Sequence, residues 1–392
     1  MSQSTHQHIV VCGTGIAGLS LALALARRGQ QVTLLGPKPI LQEALPDVFH
    51  PRVYAISPAS QSFLQDIGIW GLIPSARLTR IESMEVHGDR QGKLNLSAWQ
   101  QALPELAWIV ESGEIERALR QAIQVFGLPW IEEKCESWRP GIITTDKGRE
   151  VRASLLVAAD GARSSLREAA GIQVDRRPYG VTALVAHFTA TLPHQGTACQ
   201  WFRHDGVLAL LPMPDTQEGH QVSMVWSLKE HLASELMALP HDAMATALSS
   251  RLAQATQGRL GELTLRSKVH GFPLTLEQSP MIGERLALVG DAAHRLHPLA
   301  GQGLNLGLGD VQCLAETIAS RELFREPGDH MVLARYRRAR AEPVLAMRLV
   351  TDGLQKLFSV QAEPIAWLRN MGMDLVDRLP FIKRQIVSGA VR

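Results

Sequence analysis

The four cysteines of this 392-residue chain (Cys12, Cys135, Cys199 and Cys313) form no Cys-x-x-Cys pair. Neither a disulfide framework nor a cysteine-built zinc site fits such scatter, and a reducing cytoplasm is the expected compartment. A surplus of charge of either sign is also missing. The net charge is +2, so no basic field argues for nucleic acid. The longest apolar run, around Leu19–Ala26, falls well short of the ~20 residues a bilayer demands. The polar stretch from Met1 to His8 has no basic n-region and leads straight into a strand pattern, which argues against a secretory signal. Internal repeats and low-complexity tracts are absent. What remains is an ordinary globular composition, 45% hydrophobic and 20% charged, in a chain long enough for two or three domains and a large core.

Ile9–Cys12 reads as a buried strand, followed by Gly13-Thr-Gly-Ile-Ala-Gly18, an Ala/Leu-rich helix to about Arg28, and a strand over Gln31–Leu35. This is one βαβ unit. Ser57–Ile67 reads as a helix with Ser57 at its cap and Pro58 in its first turn, and Ser112–Phe126 as another. Leu155–Ala159 and Arg285–Val289 read as short buried strands. Between them, Val181–Ala190, Val207–Leu211 and Gln221–Trp226 alternate with turn residues, as in an antiparallel sheet. From Leu304 onward the pattern is mostly helical.

Gly13, Gly15 and Gly18 stand between a strand and a helix, the context a dinucleotide fingerprint requires. Gly13 allows a tight turn, Gly15 admits a pyrophosphate to backbone amides, and Gly18 lets helix and strand approach. The helix N-terminus adds partial positive charge. The acidic residue that normally closes the second strand and holds the ribose is missing, because Gly36 stands there. On this reading Gly36→Glu would tighten cofactor binding. Lys38 suggests either a contact to a 2′-phosphate or a solvated loop lysine. The fingerprint by itself does not separate FAD from NAD.

Two later motifs are more specific. Asp160-Gly161 follows a buried strand and precedes Ser164, a candidate helix cap. Gly290-Asp291 ends another strand and leads through His294, His297 and Pro298 into a glycine-rich helix start at Gly301, Gly303 and Asn305. Asp291 is suited to polyol hydroxyls, and the segment from Gly301 to Asn305 can present backbone amides to an anion. Asp291, His294 and His297 also have a spacing that permits a metal, although the motif requires none. His297 can be read as a proton-transfer residue or as a structural histidine packed on the loop.

The three motifs, in this order, resemble the aromatic-hydroxylase class of flavoprotein monooxygenases over most of the chain. The resemblance implies that Gly13, Gly15 and Gly18 bind the ADP part of FAD and that Arg52 reaches the pyrophosphate or flavin region. It puts Asp160 and Gly161 between FAD and the approach of the nicotinamide donor. Asp291 would hold the ribityl chain, and Pro298, Gly301 and Gly303 would lie beside the flavin ring. Tyr336-Arg-Arg-Ala-Arg340 with the Met347–Phe358 helix, and Ser57-Pro-Ala-Ser60 leading to Ile67-Gly68-Ile-Trp70, are similar to the hydroxylases of ubiquinone biosynthesis.

That resemblance implies a polyprenylated phenol or quinol as substrate, O₂ as co-substrate and NAD(P)H as reductant. The ring is hydroxylated through a flavin hydroperoxide, with water excluded. It further suggests membership of a biosynthetic complex and contact with the inner membrane edge. Met347, Val350, Leu354, Leu357 and Phe358 recur at helical spacing, either as a core face or as a surface for a prenyl tail or membrane, with Lys383 and Arg384 nearby. A reductase or epoxidase of an isoprenoid, or a flavin-binding scaffold, remains an alternative. No Trp-x-Trp-x-Ile-Pro halogenase motif occurs. The expected fold is α/β: a discontinuous Rossmann-like FAD-binding domain (1–76, 107–177 and 280–330), an inserted antiparallel-sheet substrate domain (77–106 and 178–279) and C-terminal helices (331–392).

Overall fold

The computed structural model describes residues 7–38, 47–89, 92–295 and 302–359, without the side chains of 352 and 354–359. His297, Pro298, Gly301, Lys383 and Arg384 lie outside the described residues, as do the side chains of Leu354, Leu357 and Phe358.

His8–Cys12 is an apolar strand at the heart of a six-stranded sheet. The order across that sheet is Ile282–Gly283, Leu286–Leu288, Leu155–Ala158, His8–Cys12, Gln31–Leu35 and Trp130–Ile131. All but the first are parallel to their neighbours. The helix Ile16–Arg27 returns between the first two strands in sequence. Nine of its twelve residues are buried, as a helix apolar nearly all round must be. It packs between helices Ser112–Phe126 and Gly303–Ala319. Pro58–Asp66 is the expected helix, with the Ser57 hydroxyl accepting from the Ser60 amide. A three-stranded antiparallel meander, Cys135–Arg139, Ile142–Thr145 and Glu150–Arg152, links two strands of the main sheet. The strand pattern described above leaves it unassigned, because its strands are short and mostly not deeply buried.

The second large sheet has nine strands. Asp175–Ala190, Gly206–Thr216 and Gly219–Lys229 extend the expected runs at one or both ends. One face carries Leu184, Ala186, Phe188, Leu208, Met224 and Trp226, packed with residues of helices Glu230–Met237 and His241–Thr256. The alternation of strand side chains turns Ala183, Val185, Ala209, Leu211 and Val225 to the other face. Within 77–106, Ser83–His87 and Lys93–Ser97 join this sheet through a parallel pairing with Thr197–Arg203. Leu78–Ile81 instead pairs with Ala107–Glu111, which also pairs with Val53–Ile56, in a separate three-stranded sheet.

The long C-terminal helix His330–Ser359 is anchored where it passes the main sheet: the buried Tyr336 hydroxyl donates to the Leu288 carbonyl at 2.9 Å. Farther along, Val344 and Thr351 are buried and Met347 is partly buried. Val350, expected on a core face, is 56% exposed beside Leu345 and Leu349. No helix among the described residues is long and apolar enough to cross a membrane. The α/β fold with a parallel nucleotide-type sheet, an interrupting antiparallel sheet and a helical C-terminus is therefore the one that forms.

Candidate functional site

A cleft of about 620 Å³ runs from the C-terminal edge of the six-stranded sheet to the bare face of the nine-stranded sheet. Crevices outside strand carboxyl ends are where α/β sheets hold ligands. Gly13, Gly15, Arg52, Asp160, Gly161, Asp291 and Gly303 all line it, although they come from distant parts of the chain.

Each glycine is needed for a different reason. Gly13 has φ +122°, and a Cβ there would stand 2.2 Å from the Ala159 carbonyl oxygen. Gly18 does not line the cleft. A Cβ on it would stand 2.1 Å from the Gly13 carbonyl oxygen, so it serves helix–strand packing. Gly15, Gly161 and Gly303 have nothing within 4 Å of where a Cβ would stand, and that space belongs to the cleft. Helices Ile16–Arg27 and Gly303–Ala319 both begin at the cleft, without side-chain caps and without acidic residues in their first turns. Two helix N-termini thus open on one cleft, which favours an anion such as a pyrophosphate. The residues present fit a bound dinucleotide.

Asp160 accepts from the Leu166 amide at 3.3 Å and the Ser165 hydroxyl at 3.2 Å through Oδ2, while its buried Oδ1 has no partner among the described residues. Arg52 stacks over Phe272, 5.1 Å from the ring centroid. Asp291 faces the cleft. Packed surroundings push its carboxyl above the ordinary range, against the pull of Arg295, His294 and Arg52. Burial raises the Cys135 thiol to about 11 and also pushes Cys12 well above its ordinary value, so the two cysteines in the cleft are neutral and offer no nucleophile.

Behind Asp291 stands a network that sequence reasoning missed. Asp310, fully buried, accepts from the Gly290 amide at 3.0 Å and from His294 Nε2 at 2.7 Å through one oxygen. Its other oxygen accepts from Arg340 Nε at 2.7 Å, and Arg340 also donates to the Leu306 carbonyl. Burial alone would raise the Asp310 carboxyl. His294 and Arg340 outweigh burial and hold it below the usual range. The network fixes the Gly290 turn, where φ is +60°, and so aims Asp291. The available signal was an acid set within the apolar run Leu304–Leu314, with a matching arginine in the quoted C-terminal motif.

His294 is committed to Asp310 rather than to a metal, and no group of three His, Cys, Asp or Glu side chains suited to a metal occurs among the described residues. Asn305 does not line the cleft. Its side chain accepts from the Ser57 amide and donates to the Ala55 carbonyl and to Gln302, tying helix Gly303–Ala319 to the neighbouring strand end. Lys38 is paired with Glu132 at 2.6 Å and lies over Trp130. Gly36 has φ +147°, with a would-be Cβ 2.9 Å from Thr14 Cγ2, so glutamate there would strain the turn rather than tighten binding.

The far wall is apolar: Ala183, Val185, Ala209, Leu211, Val225 and Phe272. These residues went unrecognised in the sequence because alternation marks two faces without saying which one is left uncovered.

Comparison with known proteins agrees with this geometry. The family described as FAD binding domain matches residues 6–350. The chain is 34% identical to ubiquinone hydroxylase UbiL of Rhodospirillum rubrum, over 98% of this chain and 89% of that protein. It is 31% identical to the 3-demethoxyubiquinol 3-hydroxylase of Escherichia coli, over 98% of each. Among solved structures, p-nitrophenol 4-monooxygenase PnpA of Pseudomonas putida superposes with TM-score 0.76 at 16% identity, covering 98% of both chains.

Proposed function

The chain belongs to the FAD-binding-domain family and is an FAD-dependent monooxygenase, and from that premise we propose that it hydroxylates the ring of a polyprenylated phenol or quinol on the route to ubiquinone. One observation carries the reading: a glycine-lined, amide-rich cradle opens without interruption into an apolar-walled cleft. The cradle suits a dinucleotide and the cleft suits an aromatic ring with a hydrocarbon tail. A scaffold would need only the first.

In this reading the FAD unit comprises 1–76, 107–177 and 280–330, and the substrate unit 77–106 and 178–279. Gly13, Gly15 and the two helix starts take the pyrophosphate, with Gly18 holding that turn together. Arg52 adds a cation on the same side. Asp160 and Gly161 border the cofactor, Asp291 holds the polyol chain, and Gly303 admits the ring edge. Bound FAD, reduced by NAD(P)H, supplies the activated oxygen from O₂. The residues of the chain bind, orient and exclude water. The apolar wall from Ala183 to Phe272 performs the last task, since water competes for an activated oxygen. The exposed Leu345, Leu349 and Val350 on the C-terminal helix support contact with a membrane edge, from which a prenylated substrate would enter.

The test is spectroscopic. Purified protein should show flavin bands, its released chromophore should be FAD, and Asp291→Ala should lose most of it. Short-chain prenylphenol with NAD(P)H should then gain one ring oxygen. A protein that neither carries nor binds FAD would sink this reading. FAD binding with a reduced or epoxidised isoprenoid as product would replace it.

A further inference from the structure

The residues that the nine-stranded sheet contributes to the cleft lining are mostly apolar. Register puts Val185, Val225 and Ala209 side by side across three strands, and all three line the cleft. The next row on the same face is His187, Ser223 and Leu211. Leu211 still lines the cleft, while His187 and Ser223, 2% and 0% exposed, stand one row beyond the lining residues Val185 and Val225.

His187 Nε2 lies 2.9 Å from the His50 carbonyl oxygen. A carbonyl only accepts, so Nε2 carries the ring proton and Nδ1 is a bare acceptor in the neutral ring. Burial, opposed by that hydrogen bond, keeps the imidazole below its ordinary pKa, so the ring is neutral. Among the described residues Nδ1 has no partner, and neither has Ser223 Oγ. Buried polar atoms are rarely left so. Directly opposed residues on paired strands have Cβ atoms about 5 Å apart. An acceptor and a hydroxyl at that spacing, at the end of an apolar wall, complement a single hydroxyl on an apolar ring. Same-face rows lie roughly 7 Å apart along a strand, which is about the depth of one phenol ring.

We propose that His187 and Ser223 hold the hydroxyl of the phenolic substrate, His187 Nδ1 accepting from it and Ser223 Oγ donating to it, with the ring seated over Val185, Val225 and Ala209. This rests on the aromatic-hydroxylase reading and deepens it. A phenol has a pKa of about 10, far above that of this imidazole, so the proton stays on the substrate oxygen. The hydrogen bond to Nδ1 still shifts electron density toward the ring, which an electrophilic oxygen requires. It also decides which ring carbon faces the flavin.

The holoenzyme is titrated with a short-chain prenylphenol and with its methyl ether, following the visible band of bound flavin. The wild type should prefer the phenol about tenfold, since only the phenol donates to Nδ1. His187→Leu should weaken the phenol to the level of the ether and leave the ether unchanged. His187→Asn, whose amide oxygen stands near the place of Nδ1, should restore part of the preference. Ser223→Ala should weaken both ligands several-fold, because both oxygens accept. An undiminished phenol preference in His187→Leu overturns the proposal, as does equal binding of the two ligands by the wild type. If His187→Leu loses its flavin band, Ser223→Ala decides, and unchanged affinity for both ligands refutes it. A wild type that responds to neither ligand overturns the aromatic-hydroxylase reading beneath it.

Discussion

Gly13 and Gly15 are two residues apart, yet substitution should break them in different ways. Gly13 has a left-handed φ and a carbonyl oxygen 2.2 Å from its missing Cβ, whereas Gly15 has φ −82° and open space. Gly13→Ala should therefore lower the unfolding midpoint of the cofactor-free protein, by about 3 kcal/mol or more if the turn cannot shift. Gly15→Ala should leave that midpoint within about 0.5 kcal/mol and weaken FAD binding instead. Thermal melts and FAD titrations of both variants separate the two effects. Asp310 makes a further residue-scale prediction. Its folded pKa lies below the unfolded value of about 4, so its stabilising contribution is complete above that value and is lost as pH falls through the folded one. Asp310→Ala leaves His294 and Arg340 buried without their anion and should cost about 3–5 kcal/mol at neutral pH. The urea midpoint of the wild type should fall more steeply below pH ~4 than that of the variant. Parallel curves would mean that Asp310 does not carry the acid sensitivity.

At the scale of the element, the proposed reading makes the sheet wall the seat of the substrate. Ala183 and Ala209 are small residues facing the cleft, flanked by Val185, Val225 and Leu211. Ala209→Trp projects an indole into that space without touching the glycine cradle. Turnover of a long-chain prenylphenol and of a tail-less phenol should both drop tenfold or more, because the indole fills the proposed ring seat, while FAD content changes little. Undiminished turnover of the tail-less phenol would place the ring elsewhere. The antiparallel sheet tolerates this change better than its helix-covered face would, where Trp226 and Phe188 are fully buried and added volume has no room.

At the scale of the whole molecule, the C-terminal helix links two roles. Its first half locks the Gly290 turn through Tyr336 and Arg340, and its second half exposes Leu345, Leu349 and Val350. Replacing those three by Gln should reduce co-sedimentation with anionic lipid vesicles several-fold. Hydroxylation of a water-soluble phenol should be unaffected, because none of the three lines the cleft. Unchanged vesicle binding would overturn the proposed membrane contact of this helix.

The sequence by itself determined the nucleotide machinery. Glycine spacing, strand–turn–helix order and the Gly290–Asp291 motif are local, because turns at Gly13, Gly161 and Gly290 need positive φ that glycine supplies at least cost. The βαβ unit, the Ser57 cap and the Ser112–Phe126 helix were legible for the same reason. Only the tertiary structure decided what depends on distant partners. Asp310 looks like any helix acid until Arg340 and His294 surround it, and only the fold brings the Asn305 side chain to Ser57 and Ala55. His187 presents Nδ1 as an acceptor only because the His50 carbonyl, 137 residues earlier, accepts a hydrogen bond from its Nε2–H. Which face of the sheet is covered by helices and which is left for a substrate is likewise set by packing. Alternation along a strand defines two faces, and the rest of the chain chooses between them.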